Sequence, residues 1–171
     1  MCVLTRDEIL RELETGALVV EPLDPDQVGP ASVDLHLGHE IRVLIPTSND
    51  PIPVTDDSDP SQRTELLKLD KPYRLPPGHT VHGITRERIS LPPNLCGWLE
   101  GRSRIARLGL AIHVTSGFVQ PGVSNHQVLE LSNLSAVTLE LHPDVRICQI
   151  VLERTEGKAT YQGRFADQTQ P

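Results

Sequence analysis

The sequence is poor in aromatic residues and in long apolar runs, and each shortage excludes a class of protein. Phe, Trp and Tyr make up 3% of the 171 residues, so aliphatic side chains must fill the core. No apolar run approaches the roughly 20 residues that a membrane-spanning helix needs. The N-terminal stretch MCVLTRDEIL also lacks the apolar segment of a signal peptide. We therefore expect a cytoplasmic protein that does not enter a membrane.

Cysteine is scarce as well, and the spacing of the cysteines does not match a metal-binding motif. Cys2, Cys96 and Cys148 are widely separated and form no C-x-x-C pair, which argues against a structural disulfide and a cysteine-based zinc site. The seven histidines show neither the zinc deaminase signature nor H-E-x-x-H. We interpret them as ordinary surface or core residues. Cys148 lies in the apolar run VRICQIVL, which predicts a buried thiol.

Positive charge is in deficit, yet it is concentrated at one place. The chain has 23 Asp and Glu against 16 Lys and Arg, which argues against broad binding to nucleic acid or to an anionic membrane. Three arginines nevertheless fall in the stretch GRSRIARLGL, residues 101–110. Its glycines, serine hydroxyl and arginine forks suit a phosphate group. A turn that enters a short helix with solvated arginines is the alternative.

The pattern of apolar residues predicts an all-β fold with one short N-terminal helix. Thr5 and Glu8 fit a T-x-x-E capping box, Ile9 and Leu13 recur at helical spacing, and Gly16 is a plausible stop. After this helix, short apolar or alternating runs are separated by Pro, Gly, Asn and Asp. With 15 prolines, this pattern is typical of a sandwich, a jelly roll or a related barrel.

The chain shows no internal repeat and no linker of domain size. We therefore expect one domain over residues 1–171. Residues 46–65 are polar, acidic and rich in proline, which predicts a long loop. Residues 161–171 lack a core pattern, so they form either a frayed end or a flexible flap that orders on a ligand.

One carboxylate lies in a strand pattern that suits proton transfer. In HQVLELSNL, alternation places Val128, Glu130 and Ser132 on one face. A half-buried carboxylate there can shuttle protons, whereas an exposed strand glutamate is the alternative. In HVTSGFVQPG, the small Thr115 and Ser116 would let a flat ligand approach the backbone, although the local sequence favours a plain hairpin connection.

Four stretches in sequence order resemble the dCTP deaminase family of the dUTPase-like superfamily. They are GPASVDLHLG (29–38), LCGWLEGRSRIARLGLAIHVT (95–115), VLEL (128–131) and YQGRFADQ (161–168). The resemblance implies a β-clip, an all-β distorted jelly roll, and a homotrimer whose nucleotide sites are shared between subunits. It also implies zinc-independent hydrolysis of dCTP to dUTP and ammonia, with the nucleotide bound as its Mg²⁺ complex.

The resemblance also assigns roles to individual residues. Glu130 falls on the family's catalytic glutamate, and Ser103 and Arg107 fall on the serine and arginine beside the reacting base. Tyr161, Arg164 and Gln168 match a C-terminal Tyr, Lys and Gln that close over the nucleotide, with Arg in place of Lys. The remaining residues that we predict to bind substrate are Arg102, Arg104, Ile105, Ala106, Ser116, Gln120, Val128 and Leu129.

The loop QPGVSN, residues 120–125, departs from the family's DPGWxG. Gln120 replaces an aspartate that contacts the sugar 3′-hydroxyl. An amide can hydrogen-bond a hydroxyl but cannot act as a general base, so we predict no efficient hydrolysis of dUTP. Val123 and Asn125 replace an aromatic residue and a glycine. These changes leave open a non-catalytic or altered-specificity nucleotide-binding relative, such as a sensor. The missing aspartate argues against the third alternative, a dUTP diphosphatase.

Overall fold

The computed structural model describes residues 2–45, 51–59, 63–113, 115–166 and 168–171. Within these ranges, helix α1 spans Arg6–Glu14 and helix α2 spans Ser103–Ala106. Neither of these helices is long and apolar enough to cross a membrane. The strands of the described residues are β1 (Cys2–Val3), β2 (Val19–Glu21), β3 (Val33–Leu44), β4 (Thr64–Lys68), β5 (Tyr73–Leu75), β6 (Thr80–Ser90), β7 (Leu95–Gly101), β8 (Leu110–Ile112), β9 (Phe118–Val119), β10 (Ser124–Asn133), β11 (Leu139–Leu141) and β12 (Arg146–Arg154).

Helix α1 lies where the sequence predicts it, but its predicted cap does not form. Ile9 is fully buried, and Gly16 follows the helix with a φ of 72°, a left-handed conformation that suits glycine. The side chain of Thr5 makes no capping hydrogen bond, so the prediction of a capping box is wrong. Glu8 instead forms ion pairs with Arg11 at 2.6 Å and with Arg154 of β12 at 3.2 Å. The buried apolar face, rather than the cap, therefore holds the helix in place.

The prediction of an all-β fold is confirmed. In the described residues, ten strands are hydrogen-bonded in the order β8-β10-β6-β3-β12-β7-β9, with β1, β2 and β4 added beside β12, β6 and β3. Strand β3 is shared between two sheets, because its first half pairs with β12 and its second half pairs with β4 and β6. A Cβ atom at Gly38, where this change occurs, would lie 3.0 Å from the carbonyl oxygen of Ile84. Glycine therefore lets β3 pass close to β6.

The core is aliphatic, as the shortage of aromatic residues requires. Leu35, Leu37, Leu129 and Ile150 are among the side chains with no exposed surface. Cys148 is buried with them, and burial raises the pKa of its thiol well above the ordinary value. This confirms the prediction that Cys148 is a core residue and makes its thiol unreactive near neutral pH.

The loop predicted over residues 46–65 is shorter at its C-terminal end. Residues 51–59 are irregular, while residues 46–50 and 60–62 lie outside the described residues. The prediction was wrong from Thr64 onward, because this residue begins β4 and pairs antiparallel with the end of β3. A polar composition hid this strand, whose pairing depends on a distant partner rather than on its own sequence.

Candidate active site

A cleft of about 730 Å³ lies between β3, β6 and β10 and the C-terminal residues. It contains apolar, amide and charged side chains, as ligand-binding clefts usually do. Seven of the predicted site residues line it together, which are Ser116, Gln120, Val128, Glu130, Tyr161, Arg164 and Gln168. The structure thus brings the predicted catalytic glutamate and the predicted closing residues to one place.

Glu130 is held in the cleft by the segment that follows β8. Glu130 is half-buried. The adjacent Leu129, which was predicted to bind substrate, is fully buried and its side chain belongs to the core instead. The backbone N–H of Thr115 donates to Glu130 Oε2 at 2.9 Å, and the Thr115 hydroxyl donates to Oε1. Two donors from one residue fix the orientation of the carboxylate.

Glu130 is the last of three polar side chains that lie side by side on neighbouring strands. Arg42 of β3 pairs in register with His82 of β6, and His82 pairs in register with Glu130 of β10. Side chains opposite one another on neighbouring strands are roughly 5 Å apart at Cβ. Burial lowers the pKa of His82, although the charge of Glu130 opposes this shift. His82 is therefore neutral near pH 7.

His113 lies on the other side of Glu130, immediately after β8. Its backbone has a φ of 52°, which is uncommon for a residue other than glycine, and its N–H donates to the carbonyl oxygen of Glu130 at 3.0 Å. Both ring nitrogens are buried, and the backbone of Val128 is a neighbouring polar group. Burial lowers the pKa of His113, again against the charge of Glu130. The carboxylate is thus flanked by two uncharged imidazoles.

The C-terminal residues lie over the cleft rather than away from it. The N–H of Tyr161 donates to the carbonyl oxygen of Pro121 at 2.9 Å. The side chain of Gln168 donates to the carbonyl oxygen of His126 at 3.1 Å, and Arg164 lies 5.9 Å from the centre of the Phe165 ring. We call residues 161–171, of which Asp167 lies outside the described residues, the closing tail.

Arg102, the first arginine of the stretch 101–110, makes its side-chain contacts with residues of the same chain. Arg102 forms an ion pair with Asp34 at 2.9 Å and donates to the carbonyl oxygen of Arg146 at 3.2 Å. These contacts join the start of α2 to β3 and β12. Arg102 is therefore held in a fixed orientation by its own chain.

The rest of this stretch faces away from the cleft of the same chain. Of the described residues that line the cleft, none belongs to residues 102–107. Ser103, Arg104, Ala106 and Arg107 are exposed, while Ile105 packs against the core. The structure therefore does not bring Ser103 and Arg107 to Glu130 within one chain.

Sequence reasoning missed several residues of the cleft. Thr115 was predicted as a backbone neighbour of the ligand but binds the Glu130 carboxylate. His82 and His113 were interpreted as ordinary histidines, yet both line the cleft. The alternation of HTVHGIT shows which face of β6 His82 occupies, but only the pairing of β6 with β10 places it beside Glu130.

Comparison with known proteins identifies the family of this chain. Residues 3–155 match the family model described as dCTP deaminase-like. The chain is 35% identical to the dUMP-forming dCTP deaminase of Methanothermobacter thermautotrophicus, over all of this chain and 92% of that protein. It is 42% identical to the dCTP deaminase of Haloarcula marismortui, over 92% of this chain and 83% of that protein.

Solved structures show the same fold. The crystal structure of a 2′-deoxycytidine 5′-triphosphate deaminase from Agrobacterium tumefaciens is 25% identical, with a TM-score of 0.69 over 90% of this chain. This chain spans 48% of that longer chain. The dUTPase of EIAV is similar in fold alone, with 16% identity and a TM-score of 0.51 over 86% of this chain and 98% of the dUTPase. The fold is thus the dUTPase-like β-clip, and the chain belongs to the dCTP deaminase-like family.

Proposed function

We propose that this protein hydrolyses dCTP to a deoxyuridine nucleotide and ammonia, with Glu130 as the general acid and base. The observation that carries this proposal is the fixed Glu130 carboxylate in a cleft that the closing tail covers. The names of the relatives, which are dCTP deaminases, support the choice of substrate. A carboxylate between uncharged imidazoles is the acid–base group that such a reaction needs.

The reaction replaces the amino group at C4 of cytosine by oxygen from water. Glu130 takes a proton from the attacking water as the C–O bond forms and passes it to the ring nitrogen. Glu130 then moves the proton of the new C4 hydroxyl to the amino group, which leaves as ammonia as the C–N bond breaks and the C4 carbonyl forms. Acid–base catalysis of this kind typically contributes about 10²–10⁴-fold. Thr115 supports it by holding the carboxylate in one orientation. We propose that zinc takes no part, since the sequence lacks the zinc deaminase signature.

We further propose a homotrimer in which α2 of one subunit completes the cleft of a neighbour. The exposed Ser103, Arg104 and Arg107 are separate from the cleft of their own chain, which supports a role toward another copy. Their charge suits the triphosphate, which we expect to bind as its Mg²⁺ complex. Ser103 and Arg107 would then lie beside the base, where Arg107 stabilises charge.

Subunit mixing tests this arrangement directly. Glu130→Gln and Arg107→Ala should each abolish turnover, because each removes one half of a shared site. Co-expressed in one cell, the two variants should regain part of the activity, since some sites receive both intact halves. Light scattering on the wild type should give the mass of a trimer. A monomer, or mixed variants that remain inactive, would contradict the shared site.

We propose dUTP as the released nucleotide. Gln120 lines the cleft, and its amide cannot activate water for attack on the phosphates. A dUMP-forming enzyme is the second candidate, because relatives such as that of Methanothermobacter thermautotrophicus carry that name. Chromatography of the products of dCTP separates the two outcomes. Accumulation of dUTP supports the first, and release of dUMP with pyrophosphate supports the second.

The decisive experiment is the conversion of dCTP by the purified protein with Mg²⁺ and a zinc chelator. Ammonia release is expected in the wild type and in Glu140→Gln, a control at an exposed glutamate of β11. Glu130→Gln should bind dCTP but release no ammonia. An active Glu130→Gln variant would refute the proposed mechanism. Tight binding of dCTP without turnover in the wild type would instead indicate a nucleotide-binding relative.

A further inference from the structure

We propose that Thr85 is a positioning residue, whose buried hydroxyl fixes where β10 lies against β6 and so places Glu130 opposite His82. Thr85 is not among the described residues that line the cleft, so it acts through Glu130 rather than on a ligand. Its placing role rests on the contacts between the two strands. Only the kinetic consequence rests on the proposed function, in which Glu130 is the acid–base group.

Thr85 joins β6 to β10 through hydrogen bonds of its hydroxyl and its carbonyl group. The residue is 1% exposed. Its hydroxyl accepts the backbone N–H of Gln127 at 2.9 Å and donates to the carbonyl oxygen of Glu87 at 2.8 Å. Its carbonyl oxygen accepts Nδ1–H of His126 at 3.0 Å. A buried N–H that loses its acceptor is costly, so these bonds hold Gln127 at one place on β6.

These bonds lie where the register of the two strands is interrupted. Residues 124–126 of β10 pair with residues 88–90 of β6, whereas residues 128–132 pair with residues 80–84. Three residues of β6 therefore lie opposite the single residue Gln127. Such an irregularity disrupts the regular ladder of backbone hydrogen bonds. The N–H of Gln127 finds its acceptor in a side-chain hydroxyl instead.

The irregular segment of β6 is itself held by contacts with β3 and with the chain before it. The fully buried carboxylate of Glu87 accepts the backbone N–H of His36 at 2.8 Å and the side-chain amide of Gln27 at 3.2 Å. Leu37 of β3 also pairs in register with Thr85. Thr85 therefore lies on a fixed segment, so the loss of its hydroxyl should displace β10 rather than β6.

The interrupted register determines which side chain of β6 lies opposite Glu130. If the pairing of residues 124–126 continued without interruption, Glu130 would lie opposite the apolar Ile84. That position is two residues, or roughly 7 Å, along β6 from His82. A misplacement of about 1 Å can already cost about 10²-fold in rate. Even a partial displacement of β10 at Gln127 should therefore lower kcat.

Replacing Thr85 by valine tests the kinetic consequence, because valine has nearly the same shape but lacks the hydroxyl. With dCTP as substrate, Thr85→Val should lower kcat roughly 10- to 100-fold. KM should change less than about threefold, because the displaced group is the base rather than a group that binds the nucleotide. Thr85→Ser restores the hydroxyl and should return kcat to within about threefold of the wild type.

Thr80→Val is the matched control for the loss of a hydroxyl between the same two strands. The hydroxyls of Thr80 and Ser132 lie 2.8 Å apart, on the other side of Glu130 and away from the interrupted register. Both valine variants should lower Tm, because each loses one hydrogen bond. Only Thr85→Val should lose kcat. An equal loss of kcat in both would indicate a general loosening of the sheet and would contradict the positioning role.

The NMR titration of His82 tests the placement of Glu130 without reference to turnover. The imidazole of His82 lies near Glu130 of β10, Arg42 of β3 and His113 after β8. Burial lowers the pKa of His82, the charge of Glu130 raises it, and the charge of Arg42 lowers it. The pKa of His82 therefore reports how close Glu130 lies, and the signal that is lost in His82→Gln identifies this histidine.

Thr85→Val should move Glu130 away and lower the pKa of His82 below that of the wild type, whereas Thr80→Val should leave it unchanged. If Thr85→Val fails to fold, Thr85→Ala removes the hydroxyl without pressing a methyl group on the N–H of Gln127, and it should show the same shift and the same loss of kcat. A folded variant without the Thr85 hydroxyl that keeps the wild-type pKa of His82, or the wild-type kcat, would overturn the proposal. If the wild type does not turn over dCTP, the proposed function fails, and the titration still decides whether Thr85 places Glu130.

Discussion

Replacing Thr115 by valine should slow the proposed reaction without weakening nucleotide binding. Valine has nearly the shape of threonine but lacks the hydroxyl that donates to Glu130 Oε1. A hydrogen bond to a charged group contributes about 1.5–3 kcal/mol. Since about 1.36 kcal/mol corresponds to a factor of ten, its complete loss would cost roughly 10- to 150-fold. The backbone N–H still donates to Oε2, so we expect roughly 10- to 50-fold in kcat.

Steady-state ammonia release at saturating dCTP measures this loss. Thr115→Ser is the matched control, because it retains the hydroxyl and should keep kcat within about threefold of the wild type. KM should change little in either variant, since the hydroxyl orients the base rather than the ligand. A Thr115→Val enzyme with the kcat of the wild type would show that the carboxylate does not depend on Thr115. The same loss in both variants would attribute the effect to the methyl group or to the loop.

Three further predictions concern stability. Burial lowers the pKa of His82 and His113, so the unfolded chain binds more protons than the folded one below about pH 6.5. The free energy of unfolding, measured with urea, should be constant above that pH and should decline as the pH falls through it. His82→Gln should reduce this decline, because it removes one of the two histidines. A Cβ atom at Gly109, where φ is 86°, would lie 2.6 Å from the Cβ of Ser135. At Gly78, where φ is 73°, a Cβ atom would meet no atom within 4 Å. Gly109→Ala should therefore lower the free energy of unfolding more than Gly78→Ala does. The strain common to both is about 1–3 kcal/mol. The fully buried Glu87 accepts the backbone N–H of His36 and contacts Arg86, which also pairs with Asp24 and Asp144. Glu87→Gln weakens the charged hydrogen bonds but leaves Arg86 paired, so it should lower Tm and cost about 1–3 kcal/mol.

The fold was largely predictable because it depends on local alternation of apolar residues. The buried Leu129 and Leu131, on the face opposite Glu130, follow the predicted period of two. The cap at Thr5 and the end of the predicted loop at Thr64 were not predictable in this way. At the cap, Glu8 pairs with Arg11 of the same helix and with the distant Arg154 instead of the helix N-terminus. At the loop, the pairing of β4 with the distant β3 decides the outcome.

The site was predictable only in part, for a related reason. Glu130 and the closing tail were found from sequence stretches, and the structure places them at one cleft. The neighbours of Glu130 depend on strand register, which shifts where residues 85–87 of β6 lie opposite the single residue Gln127 of β10. The two extra residues of β6 change which of its residues lies opposite Glu130, so no local pattern in β6 identifies His82 as the partner.

Strand β12 has a consequence for how the protein is made. It lies between β3 and β7 and also pairs with β1, although the ribosome synthesises it after all three. Until residue 154 has left the ribosome, the nascent chain exposes the edges of β3 and β7, with apolar residues such as Val33 and Leu99 beside them. Unpaired edges of this kind recruit strands from other chains. Nascent chains stalled before β12 are therefore expected to aggregate or to engage chaperones, whereas release of the last strand lets the sheet close in one late step.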